Sequence, residues 1–108
     1  MLSRRLFLVL APVAFAVPVG AVSAHAETIT VTVDKMVFSP AEINAKVGDT
    51  IEWVNKDKFA HTATVRGGWE VMLPVKKSGS IVVEKAETID YYCRFHPNMK
   101  GRITVAVP

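Results

Sequence analysis

The sequence has 108 residues, half of them hydrophobic, and a single cysteine. This size and composition allow one small folded domain and exclude both a disordered chain and a domain held together by internal disulfides. The first 26 residues hold two of the 13 basic residues and no acid, which leaves 11 basic and 10 acidic residues, a net charge of +1, for the rest. A domain that binds nucleic acid normally keeps a strong basic excess, so no nucleic-acid partner is expected.

The N-terminal segment has the pattern of an export signal. Arg4 and Arg5 form a short basic segment, residues 6–22 form an uncharged apolar run, and residues 24–26 are a small-x-small sequence that a signal peptidase can recognise. Paired arginines before an apolar run are similar to a twin-arginine signal. The alternatives are the general secretory route and a retained membrane anchor, although the run is short for a spanning helix.

Cleavage after this segment would leave a single mature domain. We predict a signal peptide at residues 1–26 and one mature domain at residues 27–108, located in the periplasm. No later segment is apolar over a length that spans a membrane. The mature domain is therefore expected to have no membrane contact. It is also expected to be a monomer.

After residue 26 the hydrophobic pattern is that of β-strands. Polar and apolar residues alternate, β-branched residues are frequent, and Gly, Pro and Asp interrupt the segments. No segment has a helical period, and the segment around Phe38 is expected to hold only a short turn. The predicted strands are residues 28–33, 42–47, 50–55, 62–66, 80–84, 88–93 and 102–107.

Seven to eight short strands at close spacing predict an all-β fold, either an antiparallel sandwich or a barrel. A domain of this size has a thin core. The expected core residues are the apolar side chains of these strands: Ile29, Val31, Val33, Phe38, Ile43, Val47, Ile51, Trp53, Val65, Ile81, Val83, Ile89, Tyr91, Ile103 and Val105.

Residues with metal-binding chemistry are concentrated near the C-terminus. Cys93, His96 and Met99 have the spacing C-x-x-H-x-x-M and lie between two predicted strands, so a tight loop can turn all three toward one centre. His61, at the start of a predicted strand, is the second histidine of the mature chain, because His25 leaves with the signal peptide. Two histidines and a cysteine in a plane, with a weak axial methionine, are the ligands of a blue-copper electron-transfer site.

Each of these residues also has a purely structural interpretation. Cys93 can be a small buried hydrophobic residue, His61 a polar residue at a strand end, and Met99 a residue that fills the core. The spacing, the export signal and the position between two strands together favour the metal site. Zinc can occupy the same ligands, and a copper protein that stores or delivers metal would use them too.

An enzymatic function is not expected. Acidic residues are scattered, without a pair typical of acid–base catalysis, and there is no glycine loop for phosphate. A copper oxidase or nitrite reductase needs further histidines for a substrate-binding metal. The mature chain holds only His61 and His96.

The chain resembles the cupredoxins, and among them the amicyanins. Amicyanins share the C-x-x-H-x-x-M loop with a proline after its histidine, which is Pro97 here. They also have segments similar to residues 47–55, 35–36 and 88–93, and their first copper histidine matches His61. The resemblance covers most of the mature domain.

The resemblance implies a Greek-key β-sandwich with one type 1 copper ion per chain, bound by His61, Cys93, His96 and Met99. It implies a carrier of single electrons between redox proteins, such as a donor dehydrogenase and a cytochrome-type acceptor. Amicyanins usually have Asn after the first histidine and a small residue after the cysteine, which help to tie the two ligand loops together. This chain departs from that pattern with Thr62 and Arg94. The Thr62 hydroxyl can still bond across.

Partner contact is expected around His96, the ligand nearest to solvent. Phe95 and Pro97 beside it form a small apolar patch, which favours the weak and brief contacts of redox partners. Basic residues on predicted loops are candidates for steering an acidic partner: Lys56, Lys58, Lys76, Lys77, Arg94, Lys100 and Arg102.

Overall fold

The structure, a computed structural model, describes residues 25–108, so the predicted signal peptide lies outside the described residues except for its last two positions. In this part of the chain there are nine β-strands, and no helix that could cross a membrane. The all-β class is confirmed. The strands are β1 (Thr28–Asp34), β2 (Val37–Ser39), β3 (Glu42–Lys46), β4 (Thr50–Asn55), β5 (His61–Thr64), β6 (Glu70–Leu73), β7 (Ser78–Val82), β8 (Glu87–Tyr92) and β9 (Lys100–Ala106).

The strands form the two sheets of a sandwich. One sheet has the order β2-β1-β4-β7 and the other the order β3-β9-β8-β5-β6. Most neighbouring strands are antiparallel, as expected, but β1 pairs with β4 and β3 with β9 in parallel. Residue alternation has the same period in both kinds of pairing, so the sequence pattern could not reveal these two parallel pairs.

The core lies between the sheets and is centred on Trp53 and Tyr91. The indole Nε1 of Trp53 donates a hydrogen bond to the Tyr91 hydroxyl at 3.1 Å, and the two rings meet edge to face at 5.4 Å. Burial raises the pKa of Tyr91 to about 12. Gly101 on β9 lies directly over the Tyr91 ring, where a Cβ atom would overlap it. All the expected core residues are buried or pack against the buried cluster.

Two strands were missed by the pattern. The segment expected to hold only a turn forms β2, which follows a two-residue turn at Lys35 and Met36. Both residues have positive φ angles, 54° and 64°, without being glycine, so the usual residue signal for such a hairpin is absent. The other missed strand, β6, is four residues long with mixed polarity and ends before Pro74.

Candidate metal centre

His61 begins β5 and is completely buried. The loop before it is held by Asn55, the last residue of β4. The Asn55 side-chain amide donates to the carbonyls of Phe59 at 2.8 Å and Leu73 at 3.0 Å, and its Oδ1 accepts the Asp57 N–H at 2.8 Å. One buried side chain thus determines where the loop delivers the histidine.

The carboxylate of Asp57 orients the His61 ring. It lies 2.8 Å from Nε2 and also accepts the N–H groups of Lys35 at 2.6 Å and Met36 at 3.0 Å. Burial would raise the pKa of Asp57, but the hydrogen bonds from Met36, His61 and Lys35 outweigh it and lower that pKa. An ionised carboxylate only accepts, so Nε2 carries the ring proton. The other ring nitrogen, Nδ1, faces Cys93 Sγ at 3.7 Å.

Cys93, His96 and Met99 lie on the loop between β8 and β9. The loop is closed by its own backbone: Cys93 N–H donates to the Met99 carbonyl at 3.0 Å, His96 N–H to the Cys93 carbonyl at 3.1 Å, and Met99 N–H to the His96 carbonyl at 2.9 Å. Cys93 and Met99 are buried, whereas His96 is partly exposed. The ring of His96 lies 5.2 Å from that of His61, centroid to centroid.

Two hydrogen bonds tie the His61 strand to this loop. Thr62 N–H donates to Cys93 Sγ at 3.4 Å, and Arg94 N–H donates to the Thr62 hydroxyl oxygen at 2.8 Å. The hydroxyl of Thr62 therefore bonds across to the loop, as expected for a residue that stands where amicyanins have asparagine. The ligand-bearing segments are connected although both positions depart from the amicyanin pattern.

The structure brings all four predicted ligand residues to one end of the sandwich. In a metal site the ion lies about 2.3 Å from a thiolate sulfur and about 2.0 Å from an imidazole nitrogen. If the two metal–ligand bonds make an angle of about 120°, the sulfur and the nitrogen are about 3.7 Å apart. The His61 Nδ1 to Cys93 Sγ distance of 3.7 Å fits this. Over residues 25–108, no three His, Cys, Asp or Glu side chains form a ready-made ion site. Of the four predicted ligands, His61 and Cys93 are in direct contact, and His96 and Met99 lie beside them.

His96 connects this centre to the surface. A shallow depression is lined by His96 together with Met36, Pro97 and Met99. Phe95 also lines it and is exposed. Asn98 is a polar member of the lining, so the surface over the centre is mostly, but not wholly, apolar.

The family model "Cupredoxin-like domain" matches residues 6–105, and the chain belongs to this family. Within it, the chain is similar to amicyanin from Paracoccus denitrificans, with 33% identity over 82% of this chain and 72% of that protein. Amicyanin from Paracoccus versutus is 28% identical over the same shares. The resemblance read from the sequence is confirmed.

Solved amicyanin structures are similar to this chain in fold. A methionine-to-glutamine variant of amicyanin in its Cu(I) form has a TM-score of 0.67 and 29% identity over 72% of this chain and 81% of that one. A reduced tryptophan-to-tyrosine variant of amicyanin has a TM-score of 0.67 and 29% identity over 80% and 87%. The predicted sandwich is therefore confirmed as a cupredoxin fold.

Sequence reasoning identified Thr62 but missed Asp57 and Thr64 as residues that support the predicted ligands. Asp57 lies four residues before His61, but its other partners are in the turn between β1 and β2, which no local pattern connects to it. Thr62 and Thr64 are two residues apart on one strand, so they share a face. That spacing was the available signal for the hydroxyl contact between them.

Proposed function

We propose that this chain is a periplasmic blue copper protein that carries single electrons between redox partners. One type 1 copper ion would be held by His61, Cys93, His96 and Met99. The observation that carries the proposal is the buried, oriented pair of His61 Nδ1 and Cys93 Sγ, 3.7 Å apart. Similarity to amicyanins, whose solved structures include Cu(I) and oxidised forms, supports copper as the metal.

The ligand residues suit a metal that changes valence. Bound copper supplies a one-electron couple, for which a thiolate, two imidazoles and a weak thioether form a soft but nitrogen-containing ligand set. The chain holds these groups rigidly: Asp57 orients His61, Thr62 donates to the sulfur, and the loop carrying Met99 is closed by backbone hydrogen bonds. Small rearrangement of the ligands favours rapid electron transfer.

The small number of histidines favours a carrier function over an enzymatic one. Both histidines of the predicted mature chain, His61 and His96, are used by the one site. Storage or delivery of copper is the alternative. The exposed thioether of Met36, which lines the same depression as Met99, favours exchange of metal, whereas the burial of Cys93 and Met99 favours retention.

Partners are proposed to dock over His96. The exposed Phe59 ring lies 6.5 Å from His96, and Phe95 and Pro97 extend the apolar surface. Such a patch suits brief contact between a monomer and a donor dehydrogenase or a cytochrome-type acceptor.

Two of the seven basic residues predicted to steer a partner are paired with acidic residues. Arg94 and Arg102 are paired with Glu70 and Asp90, so they contribute less than expected. The exposed lysines remain as candidates for attracting an acidic partner: Lys56, Lys58, Lys76, Lys77 and Lys100.

Copper titration of the purified mature domain tests the function. We expect one equivalent of Cu(II) to produce an intense thiolate-to-copper absorption band, and chemical reduction and reoxidation to remove and restore it over repeated cycles. Rapid transfer of the copper to a competing apo-protein would favour delivery instead. A periplasmic product whose mass begins at Met1 would contradict cleavage of the signal peptide.

A further inference from the structure

A closed ring of hydrogen bonds links Thr62, which follows His61, to Arg94, which follows Cys93. The Arg94 N–H donates to Thr62 Oγ1 at 2.8 Å, the hydroxyls of Thr62 and Thr64 are 2.8 Å apart, and Thr64 Oγ1 donates to Glu70 Oε1 at 2.8 Å. The ring returns through the Arg94 guanidinium, which donates to Glu70 Oε1 at 2.8 Å and Oε2 at 3.0 Å. It therefore starts and ends on the residue after Cys93.

Glu70 determines the direction of the hydrogen bonds in this ring. Hydrogen bonds from Arg94 and Thr64 hold the pKa of Glu70 below its ordinary value, so the carboxylate is ionised and can only accept. Thr64 must then donate its one hydroxyl proton to Glu70, and its oxygen receives the proton of Thr62. The Thr62 oxygen is left to accept the Arg94 N–H.

The strand register explains why these residues meet. Thr64 and Glu70 are cross-strand partners on β5 and β6, and Thr62 and Thr64 lie on one face of β5. Both threonines are buried, Thr62 at 0% and Thr64 at 8% exposure. Water therefore cannot readily replace a partner that turns away, and the orientation of each hydroxyl depends on its neighbours in the ring.

We propose that Glu70 is a positioning residue for the Cys93 thiolate. It acts through Thr64 and Thr62, whose hydroxyls tie β5 to the ligand loop and so hold the Thr62 N–H at 3.4 Å from Cys93 Sγ. Hydrogen bonds to a cysteine sulfur tune the reduction potential of a copper site. This role rests on the proposed copper function, but the ring itself exists in the metal-free protein.

The Glu70–Arg94 ion pair is expected to contribute little to the stability of the fold. The two side chains are 50% exposed for Arg94 and 32% exposed for Glu70, and exposed ion pairs contribute little. The chain offers a matched control in the Arg102–Asp90 pair, which is also exposed and has an N···O distance of 2.7 Å. That pair is not part of the ring.

The variant Glu70→Leu removes the carboxylate that accepts the Thr64 proton. Thr64 can then turn that proton toward Thr62 Oγ1, and the Thr62 proton has to turn away from Thr64 toward the Arg94 N–H. In the metal-free protein, we expect hydrogen exchange at the Arg94 amide to accelerate about fivefold, as for loss of a typical single hydrogen bond. Asp90→Leu should leave that rate unchanged.

In the copper-loaded protein, Glu70→Leu should lower the reduction potential and shift the thiolate-to-copper band, because the N–H···S bond weakens. Adding Glu70→Leu to Thr62→Val should change neither readout further, since the connecting hydroxyl is already gone. The proposal is overturned if Glu70→Leu matches Asp90→Leu in both readouts, or if its effect persists beside Thr62→Val. A wild-type protein without the absorption band would instead overturn the copper function, and the exchange experiment would still decide the role of Glu70.

Discussion

The carboxylate of Asp57 holds His61 and the turn between β1 and β2 at the same time, and Asp57→Asn should disturb both. In the wild-type protein one buried carboxylate accepts three hydrogen bonds, from His61, Lys35 and Met36, at 2.8, 2.6 and 3.0 Å. Asparagine has one carbonyl oxygen and replaces the other acceptor by a donor. At least one of the three N–H groups loses its partner.

The size of the effect follows from these contacts. Leaving one such buried donor without a partner costs about 1–3 kcal/mol. For a domain of this length each kcal/mol lowers the melting temperature by about 4–8 °C. If the asparagine amide turns toward His61, its NH₂ group donates to Nε2. The ring proton then moves to Nδ1, the atom that faces Cys93.

Two measurements on the metal-free protein test this. Thermal unfolding should show the lower melting temperature, and ¹⁵N NMR should show a larger fraction of His61 protonated at Nδ1. Asp34→Asn, an exposed position at the end of β1, is the control and should change neither. A melting temperature and a His61 spectrum that both match the wild type would refute the role assigned to Asp57.

Two further predictions concern the scaffold. Gly101→Ala should lower the free energy of unfolding by about 1–3 kcal/mol, because the new methyl group overlaps the buried Tyr91 ring; urea unfolding curves superimposable on the wild type would contradict this. Asp49 is 1% exposed, and hydrogen bonds from the N–H groups of Glu27 and Lys46 lower its pKa below the ordinary 3.8. Its stabilising contribution is therefore present above that value and lost as the pH falls through the lower folded pKa. In acid unfolding experiments, the stabilities of wild type and Asp49→Asn should differ above about pH 4 and converge only as the pH falls through that lower pKa.

The fold was predictable where local pattern and tertiary structure agree. β9 alternates strictly between buried and exposed residues and β4 between buried and partly buried ones, and both were located within two residues. β2 was missed because its hairpin turn is held by a side chain from a distant loop, that of Asp57, rather than by glycine. The parallel pairing of β1 with β4 joins segments that the residue alternation cannot relate.

The candidate metal centre was also predictable only in part. The loop carrying Cys93, His96 and Met99 is local in sequence, so its spacing, together with the export signal and its position between two strands, indicated a metal site. His61 was identified because few histidines were available. The groups that position these side chains, such as Glu70, act across β5 and β6, and only the folded register brings them together.

The central claim is that the Cys93 thiolate and His61 bind one copper ion, and the most direct test is the EPR spectrum of the Cu(II)-loaded protein beside that of Cys93→Ser. Covalency with a thiolate narrows the copper hyperfine splitting. We predict a narrow splitting in the wild type and a wide one, without the intense colour, in Cys93→Ser. Identical spectra from the two proteins would contradict the account.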